Sequence, residues 1–120
     1  DIAHIECRTT SVLTNTTPIV AYRGAGRPEA TAAIERAMDL FAREVGLDPA
    51  EVRRRNLIAP FNEPHTTAIG QTYDCGDYGA SLDRALEAAG YAELRREQKA
   101  RREAGDPKQL GIGVPIEFKR

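Results

Sequence analysis

Between Pro28 and Val45 the apolar residues Ala30, Ala33, Ile34, Ala37, Met38, Phe41, Ala42 and Val45 recur at helical spacing, with Glu35, Arg36, Asp39, Arg43 and Glu44 mostly between them. This pattern predicts a helix with one buried face. Its punctuation agrees: Pro28 suits a first turn, Glu29 suits the positive end of the dipole, and Gly46 offers a left-handed stop. The next stretch, "DPAEVRRRN", predicts a short helix with Asp48 as N-cap, Pro49 at the first helical position, Glu51 completing a capping box and Asn56 at its end. Further on, Asp77 precedes "YGASLDRALEAAG", whose Leu82, Ala85, Leu86 and Ala89 form an apolar stripe that stops at Gly90. "YAELRREQKARREAG" continues as a helix with little to bury beyond Tyr91 and Leu94.

Elsewhere the pattern shortens. Residues 3–14 mix β-branched and polar positions with partial alternation, and "NTTP" separates them from "IVAY", so two strands around a turn are expected. The stretch from Leu57 to Gly76 carries prolines and no sustained period; it reads as a loop with a short strand near 69–73. "GIGVPIEF" near the end reads as another strand. The expected fold class is α+β, with two or three strands and three or four helices in a single partial domain over 1–120. Terminal strands need partners, and the chain begins without Met. The expectation is therefore a piece of a longer polypeptide.

"IVAYRGAGRPEA" places a glycine turn between a strand-like run and the start of the strongest helix. Glycines permit close backbone approach, and a helix N-terminus offers unpaired N–H groups to an anion. Arg23 and Arg27 flank the turn, and a guanidinium can hold an oxyanion through two parallel hydrogen bonds. The dinucleotide fingerprint G-x-G-x-x-G/A fails at its last position, where Glu29 stands. A purely structural glycine turn remains an alternative.

Composition changes this picture little. The chain has 120 residues, 41% hydrophobic and 29% charged, and a formal net charge of -1; nothing indicates a broad basic surface for nucleic acid. No run approaches the ~20 apolar residues of a membrane span, and no signal-peptide pattern opens the chain. A cytoplasmic location is expected. Arg95, Arg96, Lys99, Arg101 and Arg102 interleave with Glu93, Glu97 and Glu103, as on a solvated helix. Cys7 and Cys75 lack metal-ligand spacing and read as reduced thiols, so no metal ligands are assigned. His4 and His65 read as surface or loop residues, and Asp74 and Asp77 as turn and cap residues.

Taken together, "TNTTPIVAYRGAGRPEATAAIERAMDLFAREVGLDPAEVRRRNLI", "GQTYDCGDYGASLDRALEAAGY" and "LGIGVPIEF" resemble the molybdenum-cofactor large subunit of the xanthine oxidase and aldehyde oxidase family. Within that family the stretch looks most like aerobic carbon monoxide dehydrogenase large chains of form II. The resemblance implies that Arg23 belongs to the active site, as a catalytic and cofactor-contacting residue, with Gly24, Ala25 and Gly26 as cofactor-binding loop. It implies molybdenum held as molybdopterin cytosine dinucleotide, with FAD on a medium subunit and [2Fe-2S] clusters on a small iron–sulfur subunit, in a dimer of heterotrimers.

The implied reaction is hydroxylation with water as oxygen source, on an aldehyde, an N-heterocycle or carbon monoxide. The family's general-base glutamate lies near the far end of the complete subunit, so Glu29, Glu51 and Glu117 do not match it, and the isolated chain is expected to be inactive. Two departures bear on substrate. Copper-containing relatives carry a metal-ligating cysteine, in "AYRCSFR", where Gly24 stands, and xanthine and aldehyde oxidases carry a bulky aromatic where Ala25 stands. A non-catalytic interaction or assembly module is the alternative from another class, and a nucleotide-binding domain the weaker third.

Overall fold

The computed structural model describes residues 4, 6–18 and 20–116. Its elements run α1 (Arg27–Glu44), α2 (Pro49–Asn56), β1 (His65–Thr66), β2 (Thr72–Tyr73), α3 (Tyr78–Ala88) and α4 (Tyr91–Glu103). Four helices and a two-stranded sheet make an α+β arrangement, as the hydrophobic pattern predicts.

The helix ends are where the sequence signals place them. Val45 caps α1, and Gly46 follows at φ +69°. Its N–H donates to the Arg43 carbonyl at 3.3 Å, while the Leu47 N–H reaches the Ala42 carbonyl at 2.9 Å. This pair of bonds closes the last carbonyls of the helix, and only a residue tolerant of the left-handed region can provide the turn. Gly105 does the same for α4, with the Asp106 N–H donating to the Arg101 carbonyl at 3.0 Å. Asp48 and Asp77 cap α2 and α3 by accepting from the Ala50 N–H at 2.8 Å and the Ala80 N–H at 2.9 Å. Asn56 closes α2 by donating its side-chain amide to the Val52 carbonyl at 2.8 Å.

Glu51 departs from the expected capping box. Its carboxylate accepts from Arg55 at 2.7 Å and Arg54 at 2.9 Å, and these bonds, Arg55 first, hold its carboxyl below the usual carboxylate range. Two guanidiniums one turn ahead outcompete a single backbone N–H for the same oxygens.

The expected strands over residues 3–14 and 19–22 do not form among the described residues; positions 4, 6–18 and 20–22 have no regular structure, and residues 1–3, 5 and 19 lie outside the description. Leu13 is fully exposed, and Val12, Val20 and Tyr22 are also open to solvent. Alternation makes a face to bury, but a strand needs a neighbouring ladder, and the described residues supply none there. Residues 111–116 likewise form no strand, and Glu117 lies with 118–120 outside the description. The sheet arises instead in the stretch read as a loop, where the short strand expected near 69–73 forms as β2 and gains a partner, β1, that the sequence pattern does not mark. His65 pairs with Tyr73 and Thr66 with Thr72, antiparallel, around a turn that Gly70 enters at φ +78°.

Among the described residues, Ala42, Ala50, Val52 and Leu82 are the buried apolar ones. Alongside them lies a buried charge. Arg53 of α2 is 3% exposed and clamps α1: its Nε donates to Glu35 Oε2 at 2.8 Å, and its Nη1 lies 3.0 Å from Asp39 Oδ1 and 3.0 Å from the Pro49 carbonyl. The remaining Glu35 oxygen accepts from the Ile116 N–H at 3.2 Å, so the same carboxylate ties the C-terminal segment to α1. Across the fold, Tyr91 donates its hydroxyl to Asp48 Oδ1 at 2.9 Å and Arg95 lies 3.0 Å from Asp48 Oδ2, which docks α4 against the start of α2.

Candidate functional site

The segment from Tyr22 to Gly26 turns sharply. The Ala25 N–H donates to the Tyr22 carbonyl at 2.8 Å and the Arg27 N–H to the Gly24 carbonyl at 3.0 Å. Three successive residues have positive φ: Gly24 at +102°, Ala25 at +45° and Gly26 at +88°. Glycine enters that region freely, whereas Ala25 does so at a steric cost; it is the one non-glycine residue with positive φ among the described residues.

Pro28 fixes this geometry from the helix side. A Cβ at Gly24 would lie 2.8 Å from Pro28 Cδ and 2.9 Å from Cγ, well inside van der Waals contact. The proline ring thus fills the volume a side chain at position 24 would need. At Gly26 an added Cβ would meet nothing within 4 Å, so there the constraint is conformational alone. The sequence reading took Pro28 as a helix starter and missed this second role; the signal was there in its spacing of four residues from Gly24.

Gly26 is the N-cap of α1 and has no side chain to satisfy the first turn. Pro28 carries no N–H, and the amides of Gly24, Gly26 and Glu29 donate to no acceptor among the described residues. Free N–H groups at the start of an 18-residue helix, with its positive dipole end, suit an anion. The loop opens on a recess of about 490 Å³ lined by Val20, Tyr22, Arg23, Ala25, Pro28 and Glu29, among others. Arg23 has no hydrogen bond or ion pair among the described residues, and it is exposed. Of the four residues singled out from sequence, Arg23, Ala25 and Gly26 line this recess, and Gly24 sets the turn that shapes it. The Glu29 carboxylate on the same wall disfavours a bare phosphate there.

The other candidates fall elsewhere. Cys7 and Cys75 are free and exposed. His65 packs in an aromatic cluster, with its ring centroid 5.6 Å from that of Phe61, and Tyr78 stands edge-on to Phe61 at 5.8 Å and to Tyr73 at 6.0 Å. On α4, Arg96 and Arg101 pair with Glu93 and Glu97, as the interleaved charges predict. No helix among the described residues is long and apolar enough to cross a membrane.

Residues 1–57, which contain the whole of this loop and α1, match the molybdopterin cofactor-binding domain family. By that match and the identities below, the chain belongs to the xanthine oxidase family of molybdopterin-binding large subunits. It is 41% identical over 117 residues to the carbon monoxide dehydrogenase large chain of Hydrogenophaga pseudoflava, an alignment covering 95% of this chain and 15% of that protein. It is 40% identical over 109 residues to the 6-hydroxypseudooxynicotine dehydrogenase complex subunit gamma of Paenarthrobacter nicotinovorans, covering 87% of this chain and 14% of that one. Aldehyde oxidase 4 of Cavia porcellus is 30% identical over 127 residues, covering 98% and 9%. The chain thus spans no more than 15% of the length of each of these relatives.

Proposed function

We propose that this chain is one wall of the molybdenum site in the large subunit of a molybdenum hydroxylase, with the Tyr22–Gly26 turn presented to the cofactor. The observation that carries the reading is the turn itself: three consecutive positive-φ residues, amides at the head of α1 and an Arg23 side chain that have no partner among the described residues, and an open recess lined by Arg23, Ala25 and Gly26. That donor set fits an electron-rich, oxyanion-bearing group. The cofactor, when bound, supplies two-electron oxidation with water as the oxygen source.

In this role the Arg23 guanidinium donates charge-assisted hydrogen bonds and offsets negative charge at the reacting centre. Gly24 and Gly26 let the backbone come close, and Pro28 holds the turn in place before anything binds. The cofactor is the cytosine dinucleotide form, FAD and [2Fe-2S] clusters sit on a medium and a small partner subunit, and the assembly is a cytoplasmic dimer of heterotrimers. Support for partners comes from relatives named as large chain and complex subunit. Exposed Val12, Leu13, Val20 and Tyr22 give the surface on which the remaining segments pack.

The substrate class we assign is an aldehyde or an N-heterocycle. Gly24 offers no thiolate to a second metal, and the Pro28 ring excludes a side chain from that position in this conformation. Elemental mass spectrometry of the full-length subunit purified with its partners tests the reading: about one molybdenum per chain is expected, and none, from cells that make the cofactor, refutes it. Arg23→Ala in that complex is expected to lower kcat/KM by the worth of one charge-assisted bond, about 1.5–3 kcal/mol; unchanged turnover removes Arg23 from the site.

A further inference from the structure

A second recess, of about 350 Å³, lies between α1, α4 and the segment after α4, and it shares no residue with the one at the glycine turn. Arg36 and Arg43 stand on it from α1, two turns apart, and Arg95 and Arg102 stand on it from α4 at the same spacing. Four arginines from two helices therefore line one recess in a chain whose formal net charge is only -1. The carboxylates nearby are already committed. Asp39, on the recess wall, lies 3.0 Å from Arg53 Nη1, and Asp48 is shared between Arg95 and the Tyr91 hydroxyl. The side chains of Arg36, Arg43 and Arg102 make no ion pair or hydrogen bond among the described residues.

Position in the last helical turn accounts for the sign of Arg43 and Arg102, since cations are favoured at a helix C-terminus. It does not account for their lining one recess together with Arg36 and Arg95, where like charges repel. The recess is also walled by a held segment. The Gln98 side chain, 5% exposed, donates to the Leu110 carbonyl at 2.8 Å, and Arg101 donates to the Lys108 carbonyl at 3.1 Å. These bonds fix the floor formed by Leu110, Gly111 and Ile112 against α4.

We propose that this recess binds a compact, multiply charged phosphate ligand of diphosphate size, held by Arg36, Arg43 and Arg102, with Arg95 contributing its charge from its bridge to Asp48. Several free guanidiniums around one small volume match an anion carrying more than one charge, and the planar fork suits phosphate oxygens. A single carboxylate would leave most of them unanswered.

The test is isothermal titration of the full-length protein with inorganic pyrophosphate at low salt. Saturable binding of one equivalent that weakens as salt rises is expected. Arg36→Gln, Arg43→Gln and Arg102→Gln should each weaken it by at least about tenfold, the loss of one charge-assisted hydrogen bond. Arg84→Gln, an exposed charge removal on α3 away from the recess, should leave it unchanged. All of these are surface substitutions, and far-UV circular dichroism confirms that the helices persist. Absence of saturable binding, equal effects of all four variants, or tighter binding of an acidic peptide than of pyrophosphate at the same recess would each overturn the proposal.

Discussion

Replacing Arg53 by alanine is the sharpest test of how α1, and with it the glycine turn, is held. Arg53 donates to Glu35 Oε2 from Nε at 2.8 Å and from Nη2 at 2.5 Å, to the Glu35 carbonyl at 3.2 Å and to the Pro49 carbonyl at 3.0 Å; it also pairs with Asp39 at 3.0 Å. The arginine side chain is 3% exposed, and Glu35 and Asp39 are 18% and 32% exposed. Truncation leaves two half-shielded carboxylates facing each other without a cation. Breaking a fully buried pair costs about 3–5 kcal/mol, and the solvent that reaches both carboxylates lowers the expectation to about 3 kcal/mol. Against a total stability of about 5–15 kcal/mol this is a large fraction. Urea unfolding followed by circular dichroism reads it: with a slope of about 1–3 kcal/mol per molar, the midpoint should fall by about 1 M or more. Arg55→Ala is the comparison, because its partner Glu51, at 2.7 Å, is solvent-accessible, and it should cost under about 1 kcal/mol. Amide exchange at Ile116 should also rise in the Arg53 variant, since Glu35 loses the clamp that orients it. Equal midpoints for Arg53→Ala and Arg55→Ala would refute the argument.

At the turn, Gly24→Ala should introduce about 1–3 kcal/mol of local strain. The Pro28→Ala change in the same chain should recover the part due to the ring contact at 2.8 Å while leaving the part due to φ +102°. Protection of the Ala25 and Arg27 amides in hydrogen exchange is the readout, and no loss of protection in Gly24→Ala would sink the steric account. Tyr91 gives a pH prediction. Burial first, then its bond to Asp48, pushes the phenol up to about 12. A pKa raised in the folded state means that the stability it contributes is complete below the ordinary phenol value near 10 and is lost as pH rises toward 12. Unfolding midpoints should fall across that window in the native chain and fall less in Tyr91→Phe; parallel curves would contradict the assignment.

Helix boundaries were legible because their determinants are local. Asp48 and Asp77 cap through their own side chains, Gly46 and Gly90 turn by their own φ, and Asn56 closes α2 within one turn. Glu51 shows the limit of that logic: its partner was chosen by competition between a backbone N–H and two arginines on the next turn. The short strand expected near 69–73 forms at Thr72–Tyr73, but those expected in 3–14 and 20–22 do not form among the described residues, for a different reason. Alternation in residues 3–14 marks a face suited to burial, yet pairing requires a ladder from elsewhere, while Thr66 and Thr72 pair because a tight turn brings them together.

The same division holds for the sites. The sequence by itself determined the anion-friendly turn, since two glycines, a helix start and Arg23 lie within a few residues of one another, and the ordered resemblance along the chain pointed to the family. Only the tertiary structure decided that Arg53 is a buried clamp rather than one of three solvated arginines, and that Arg36, Arg43, Arg95 and Arg102 line one recess. Local conformational preference is written in neighbouring residues. Which charges are buried and which converge depends on how helices distant in sequence pack, and on the low dielectric and exclusion of water that packing creates.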